Sequence, residues 1–165
     1  MSTYKPRIAF LKQGSFSHIN KHIEQILRDA YPAYQVDVID IEVLLQRHWP
    51  LLVLNFPRFL AEYDLSFNVN LTQHRKNFYR TTYLFSQVKR LVNKLLDKEK
   101  YHFSLQTQSL YDLSTPGIPH FVYTDHAILS NLVYPGVTQA DIDADYPAPL
   151  IELERRIYQN ATRVF

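Results

Sequence analysis

The pattern of hydrophobic and polar positions predicts a strand, a helix and a second strand at the start of the chain. Arg7–Lys12 is a short apolar run that leads to a glycine, as a buried strand does before a turn. Apolar residues recur at helical spacing over Ile19–Ala30, where we expect Ser17 to be the N-cap. A β-branched run then covers residues 35–41. A strand, a helix and a strand of these lengths form a unit with two parallel strands.

The middle of the chain has the pattern of helices. Residues 44–60 are rich in leucine and phenylalanine. Because Pro50 and Pro57 interrupt this run, we expect two or three short helices there. From residue 74 to 98, apolar side chains recur every three or four positions, which predicts one long amphipathic helix. The rest of the pattern predicts strands at residues 101–105 and 120–124 and a polar loop at 141–149. A last helix at 150–161 and a final β segment at 162–165 follow.

This alternation of strands and helices predicts one α/β domain over residues 1–165. We expect three layers, a Rossmann-like fold in which helices cover a mainly parallel sheet. One core is the usual number for a chain of this length. The sequence stops within the last β segment, so we expect the chain to be one half of a larger protein.

Composition excludes some classes of function. With 46% hydrophobic and 21% charged residues, the chain should fold rather than stay disordered. A net charge of +2 is too small to predict nucleic-acid binding, so we expect no nucleic-acid partner. The chain has no cysteine, and its sequence shows neither a signal peptide nor an apolar run of about 18 residues. We therefore expect a cytoplasmic protein.

Basic residues gather on two predicted helices. One helix carries Lys89, Arg90, Lys94, Lys98 and Lys100, and the last helix carries Arg155 and Arg156. A solvated helix face is the simpler interpretation. The alternative is peripheral contact with an anionic membrane, which would place the protein at the inner face of that membrane.

The loop after the first strand is the first candidate for ligand binding. Gly14 and Ser15 lie between a strand and a helix, where open α/β sheets bind ligands with backbone N–H groups. With one glycine, the loop lacks the dinucleotide-binding fingerprint, and the chain has no phosphate-binding loop with a Gly-Lys-Ser/Thr sequence. An ordinary turn between strand and helix is the alternative.

Two later strands also end in polar residues. Asp125 and His126 follow residues 120–124, and His126 can bond a substrate hydroxyl or carry a proton while Asp125 fixes its tautomer. Gln106, Gln108 and Ser109 end the preceding strand, and their amide and hydroxyl groups suit a polyol. The alternative for each group is a structural role, such as capping of the next helix.

Two spacings imitate metal sites, but each lacks a required residue. His18 and His22 stand four residues apart, yet Ile19 occupies the position of the general base in the zinc-binding motif. Residues 141–145 with Glu152 imitate a calcium loop, but Tyr146 replaces the glycine needed for its sharp turn. We therefore expect neither a metal nor another cofactor.

Several segments together resemble the amino-terminal half of family 4 glycosyltransferases with the GT-B fold. In that family a strand ends in a polar loop, which is followed by a helix, a Gly-x-Pro turn and an apolar strand that ends at a histidine. Here the strand end and polar loop correspond to residues 105–110, the turn to Gly117 and Pro119, and the histidine to His126. The first strand with Gly14 and the closing segments 154–158 and 161–165 also resemble the family. Ser15 follows Gly14 where the family usually has a second glycine.

The resemblance implies a function. Such enzymes place two Rossmann-like domains face to face, bind the acceptor mainly on the first and the nucleotide-sugar mainly on the second, and need no divalent metal to bind the donor. Transfer usually retains the anomeric configuration. By matched position, Gly14 would border the donor phosphates and His126 would approach the reacting sugar or the acceptor.

We therefore expect the amino-terminal domain of a retaining glycosyltransferase. Its partners would be a nucleotide-sugar and a sugar or lipid-linked acceptor, with His126 catalytic and the substrate-binding set Gly14, Ser15, Gln106, Gln108, Ser109 and Asp125. The fragment alone should be inactive, because the groups that hold the leaving diphosphate would belong to the second domain. The alternative is a non-catalytic Rossmann-like module that works by association with another protein.

Overall fold

A computed structural model of the chain describes residues 5–14, 19–63, 71–98, 100–125, 127–133, 135–136, 138 and 148–165. Helices connect the strands in these residues as the sequence pattern predicts, except that no helix lies between residues 107 and 120. The strands are β1 Arg7–Lys12, β2 Gln35–Asp40, β3 Tyr101–Thr107, β4 His120–Tyr123 and β5 Arg163–Val164. The helices are α1 Ile19–Ala30, α2 Ile41–Arg47, α3 Pro50–Glu62, α4 Leu71–Phe78, α5 Thr82–Leu95, a 3₁₀ helix Ile128–Val133 and α6 Ala148–Gln159.

The five strands form one sheet in the order β2-β1-β3-β4-β5, and every neighbouring pair is parallel. This is one of the common orders of doubly wound α/β sheets. The α/β class, the Rossmann-like arrangement and the parallel sheet predicted from the sequence are thus confirmed. The carboxyl ends of β1, β3 and β4 all lie at the same edge of the sheet.

Helices cover both faces of the sheet and make three layers. On one face, α1 packs through Ile23 and Leu27 against Ile8 and Phe10 of β1. On the other face, α2, α5 and α6 bury the second apolar set of β1, Ala9 and Leu11, in a larger core. All four of these β1 side chains are 0% exposed, because β1 has a strand on each side and helices above and below.

The long helix predicted over residues 74–98 is wrong, since the segment forms two helices, α4 and α5. The chain leaves helical geometry at Thr81, whose φ of −77° and ψ of 148° are those of extended backbone. The Thr81 hydroxyl accepts a hydrogen bond from the Leu84 N–H and so caps α5. The same hydroxyl donates to Asn55 of α3, a distant residue that no periodicity in residues 74–98 reveals.

Pro57 also behaves differently from the prediction. The sequence predicts that it interrupts the helical run, but it lies inside the unbroken helix α3, whereas Pro50 begins that helix. Proline is favoured in the first turn of a helix because no intrahelical partner exists there for its missing N–H. In the part of the chain that the structure describes, no helix is long and apolar enough to cross a membrane.

Candidate functional site at the carboxyl edge of the sheet

The order of the strands points to the carboxyl edge of the sheet. The chain runs from β1 to β2 on one side and then crosses to the other side of β1 to form β3, so β1 and β3 flank the switch point at which doubly wound sheets bind ligands. Leu11 pairs with Gln106, and Thr107 pairs with Tyr123. Residues that follow these strands therefore lie side by side along one edge, about 5 Å apart per strand.

Gly14 marks the β1 end of this edge. Its φ is +54°, which is in the left-handed region that favours glycine. Its N–H donates to Oδ1 of Asp40 at 2.9 Å, and a Cβ built on it would lie 2.1 Å from Oε2 of Glu42. Two carboxylates therefore border Gly14. They suit sugar hydroxyls, which donate hydrogen bonds, better than they suit phosphates, which repel them.

A buried hydrogen bond ties the β1 loop to β3. Asn20 of α1 accepts from the Thr107 hydroxyl at 2.8 Å, and its amide donates to the carbonyl of Gly14 at 3.4 Å. Asn20 and Thr107 are 4% and 3% exposed. Because a buried polar group must find a partner, this link holds the backbone at Gly14 in register with the end of β3.

Gln106 is central to a second set of buried bonds. Its amide nitrogen donates to the carbonyls of Gln108 and Tyr111, and its oxygen accepts from the N–H of Leu113 and from Nε2 of His120. Gln106 is 1% exposed. We call Ser104, Gln106 and His120 the Gln106 network. Its amide shapes the loop after β3 and has no group left over for a ligand.

His120 completes this network as a neutral side chain. Nδ1 lies 2.8 Å from the hydroxyl of Ser104, and Nε2 lies 3.1 Å from Oε1 of Gln106. The Gln106 oxygen can only accept, so Nε2 carries the proton and Nδ1 accepts from Ser104. Burial lowers the pKa of His120 to about 4, because the desolvated site disfavours the charged imidazolium.

Gln108 follows with a strained backbone. Its φ of 74° is in the left-handed region, and it is the non-glycine residue with positive φ among those described. The Gln106 amide holds its carbonyl at 2.6 Å, and its N–H donates to the Tyr123 carbonyl at 2.9 Å. These two bonds stabilise a turn that directs the chain to Ser109 at the carboxyl edge.

Ser109 belongs to a cluster around a buried carboxylate. Its hydroxyl donates to Oε1 of Glu154 at 3.2 Å, as does the Tyr158 hydroxyl at 3.2 Å, and the N–H of Ile128 donates to Oε2 at 2.9 Å. Thr124, at the end of β4, hydrogen-bonds the Tyr158 hydroxyl. We call Ser109, Thr124, Glu154 and Tyr158 the Glu154 cluster. It joins α6 to the ends of β3 and β4.

The electrostatics of this cluster keep Tyr158 protonated. Burial raises the pKa of Tyr158 to about 12, and the neighbouring Glu154 carboxylate adds to the rise. Glu154 is 6% exposed, whereas Ser109, Thr124 and Tyr158 are half-buried. The carboxylate therefore orients hydroxyl groups that a ligand can still reach.

Glu154 is not among the residues predicted for this site from the sequence. A signal was present, because Glu154 stands four residues after Leu150 and three before Ile157, on the apolar stripe of its helix. A carboxylate on a buried stripe requires hydrogen-bond partners. His120 gave a similar signal as a polar residue within an apolar strand.

The remaining candidates divide into two groups. Asp125 is exposed and directly follows Thr124, so it lies at the predicted edge. Ser15 and His126, the predicted catalytic residue, lie outside the described residues. The positions that the structure does bring together at this edge are Gly14, Gln108, Ser109 and Asp125.

A separate groove of about 350 Å³ lies between α5 and α6. Lys89 enters it and is already bonded to Asp112 at 2.9 Å and to both oxygens of Ser114. Burial alone would raise the pKa of Asp112, but the hydrogen bonds from Lys89 and Ser114 outweigh this effect and lower it. Because the ammonium group is neutralised within the protein, the groove is a weaker candidate than the sheet edge.

Comparison with other proteins adds no assignment. No family model, curated protein or solved structure matches the chain. Within the described part of the chain, no group of three or more histidine or acidic side chains is placed to hold a metal ion. The functional interpretation therefore depends on the geometry at the sheet edge and on the family resemblance of the sequence.

Proposed function

We propose that this chain is the acceptor-side domain of a retaining glycosyltransferase with the GT-B fold. The observation that supports this most is the meeting of Gly14, Ser109, Thr124 and Asp125 at the carboxyl edge of a parallel sheet. Carboxylates, hydroxyls and amides are the groups with which proteins bind sugars, since each can donate to or accept from a hydroxyl. The sequence resemblance described above supports the same assignment.

The two ends of the edge would have different tasks. Asp40 and Glu42 beside Gly14 would accept hydrogen bonds from sugar hydroxyls, while Ser109 and Tyr158 would offer hydroxyls oriented by Glu154. His126 would approach the reacting sugar or the acceptor. The nucleotide-sugar would be held mainly by a second domain, whose groups would also stabilise the leaving diphosphate.

The test is sugar transfer by the complete protein. A screen of nucleotide-sugars and of sugar or lipid acceptors identifies a reacting pair, and His126→Ala then abolishes nearly all transfer while the circular dichroism spectrum stays unchanged. Ser109→Ala should lower kcat/KM about tenfold to a hundredfold, as loss of an oriented binding hydroxyl does. The matched control is Ser86→Ala, an exposed serine on α5, which should transfer normally.

Unchanged turnover of His126→Ala would contradict the catalytic assignment. No transfer from any donor would favour the second candidate, a non-catalytic module that acts by association. The specific observation in favour of that candidate is the exposed apolar surface of α3, where Trp49 is 63% exposed.

A further inference from the structure

Helix α3 is held in one orientation by polar contacts on its inner side. Asn55 is 0% exposed, donates to the Phe78 carbonyl at 2.7 Å and accepts from the Thr81 hydroxyl. Tyr63, just after the helix, donates to the Arg80 carbonyl at 2.9 Å. Rotation of α3 about its axis would leave these buried groups without partners, at a cost of about 1–3 kcal/mol for each group.

The opposite side of α3 is apolar and exposed. Trp49 precedes the helix, and Val53, Phe56 and Leu60 follow at spacings of four and three residues, so these side chains form one stripe. Their exposures are 63%, 59%, 56% and 42%, and Leu54, which lies farther around the helix, is 57% exposed. We call these five residues the α3 apolar face. Since the inner contacts fix the helix, this face cannot turn into the core.

Positive charge is concentrated in the segment of the sequence that contains this face. Residues 43–83 contain five basic and two acidic residues, a net charge of +3, whereas the remainder contains thirteen basic and fourteen acidic residues, a net charge of −1. Of the two acidic residues, Glu62 accepts bonds from the N–H and hydroxyl of Thr82. The exposed basic side chains are those of Arg47, Arg58, Arg75 and Lys76.

We infer that the α3 apolar face binds the surface of a lipid bilayer rich in anionic headgroups. An exposed helix face with tryptophan, phenylalanine and leucine beside arginine and lysine is the chemistry that inserts at the boundary between headgroups and acyl chains. A second copy of the chain would bring the arginines of two α3 helices together, which like-charge repulsion disfavours. The inference holds whether or not the sheet edge transfers sugars.

This location differs from the membrane contact considered for the basic residues of α5. Lys89 on that helix is paired with Asp112, and Lys94 is exposed with no comparable apolar face around it. Only Leu95, at the end of α5, is a large apolar side chain that is strongly exposed on that helix. Charge alone gives weak, salt-sensitive attraction, whereas charge with inserted apolar side chains gives stable binding.

Trp49 provides a direct measurement, because it is the single tryptophan of the chain. The 165-residue chain is titrated with phosphatidylcholine vesicles and with vesicles containing about one-third phosphatidylglycerol, and tryptophan emission is recorded together with sedimentation. Anionic vesicles should shift the emission to shorter wavelength and bind the chain at least about tenfold more tightly than neutral ones. Brominated lipid should quench the emission.

Variants separate the apolar and charged contributions. Phe56→Ser should weaken binding to anionic vesicles about tenfold, because a large side chain no longer enters the bilayer. Arg58→Gln should weaken it about fivefold, which corresponds to one lost cation near an anionic surface. The matched controls are Ile26→Ser on α1, where Ile26 is 50% exposed, and Lys94→Gln on α5; neither should change binding.

Three outcomes would overturn the inference. The first is the absence of a tryptophan shift with either vesicle. The second is equal weakening by Phe56→Ser and Ile26→Ser, which would indicate non-specific adsorption. The third is concentration-dependent dimerisation of the lipid-free chain that Phe56→Ser removes, because a second copy would then cover the face.

Discussion

Gln106 and Ser109 stand three residues apart in one polar segment, yet the fold uses them differently. Gln106 faces the core at the end of β3, where four hydrogen bonds consume both ends of its amide. Ser109 lies beyond the strained Gln108 at the carboxyl edge, half-buried, with its hydroxyl oriented by Glu154. The Gln106 network therefore supports the fold, whereas the Glu154 cluster keeps groups accessible to a ligand.

The difference shows what a polar run at the end of a strand indicates. A polar run shows that the sheet no longer pairs all backbone groups there and that side chains must bond them instead. It does not separate structural residues from binding residues. The separation depends on accessibility and on whether hydrogen-bonding capacity remains. Substitutions at the two kinds of residue test this division.

The largest expected effect is the loss of the Gln106 amide. Gln106→Leu leaves the Leu113 N–H, two carbonyls and the Nε2–H of His120 without partners in a dry site, so the free energy of unfolding should fall by about 4 kcal/mol. Urea denaturation measures this decrease in the free energy of unfolding. Gln25→Leu on the exposed side of α1 is the control and should change stability by less than about 0.5 kcal/mol. A similar small loss for Gln106→Leu would refute the structural role.

His120 should make stability depend on pH. Its pKa is about 4 in the folded protein and 6.5 when unperturbed, so the unfolded chain binds the proton first as the pH falls. The contribution of neutral His120 to the free energy of unfolding is fully present above pH 6.5. It is lost as the pH falls toward 4, by about 3 kcal/mol in total.

The measurement is the free energy of unfolding at a series of pH values, compared with that of His120→Gln. The variant is less stable at neutral pH but should lack this part of the acid loss. If the two proteins show parallel pH profiles, His120 is not the titrating group.

Glu154→Gln should have an intermediate effect. The new amide has only one acceptor oxygen, so its NH₂ group would face either the Ile128 N–H or the Ser109 and Tyr158 hydroxyls, and stability should fall by about 2 kcal/mol. Glu152→Gln is the control on the same helix, since Glu152 is only partly buried and its pairs with the exposed Arg155 and Arg156 contribute little. Thermal unfolding compares the two variants. Equal losses would mean that Glu154 is not a buried acceptor.

The smallest expected effect is a gain in stability. Gln108→Gly removes a side chain from left-handed backbone and should stabilise the fold by about 0.5–1 kcal/mol. Gly14→Ala should do the opposite at the end of β1, because its φ is also positive and the new Cβ would meet Glu42. Denaturant unfolding of both variants checks the pair. Destabilisation by Gln108→Gly would show that the Gln108 side chain itself contributes to the edge.

Local pattern predicted most of the fold. The bounds of β1 and α1 agree with the expectation, and β2 ends one residue early because Asp40 caps α2 by accepting from the Glu42 N–H. The break between α4 and α5 was missed because its causes, the bonds of Thr81 and Asn55, join residues 26 apart. A periodicity within one segment contains no information on such partners.

The sequence predicts where some of the candidate residues lie. The edge itself followed from the strand pattern, since parallel strands place their carboxyl ends together, and Gly14, Ser109 and Asp125 lie there. The role of Gln106 and the place of Glu154 did not follow. Glu154 meets Ser109 across 45 residues of sequence, and only packing of α6 against the sheet brings them together.

The sequence by itself determined the alternation of strands and helices, the parallel sheet and the edge at which polar loops collect, because these follow from local periodicity and chain connection. Tertiary structure alone decided which polar side chains are consumed in the core, which remain at the edge, and that α3 keeps an apolar face outside. Those outcomes depend on contacts between distant segments, where burial gives each hydrogen bond its importance.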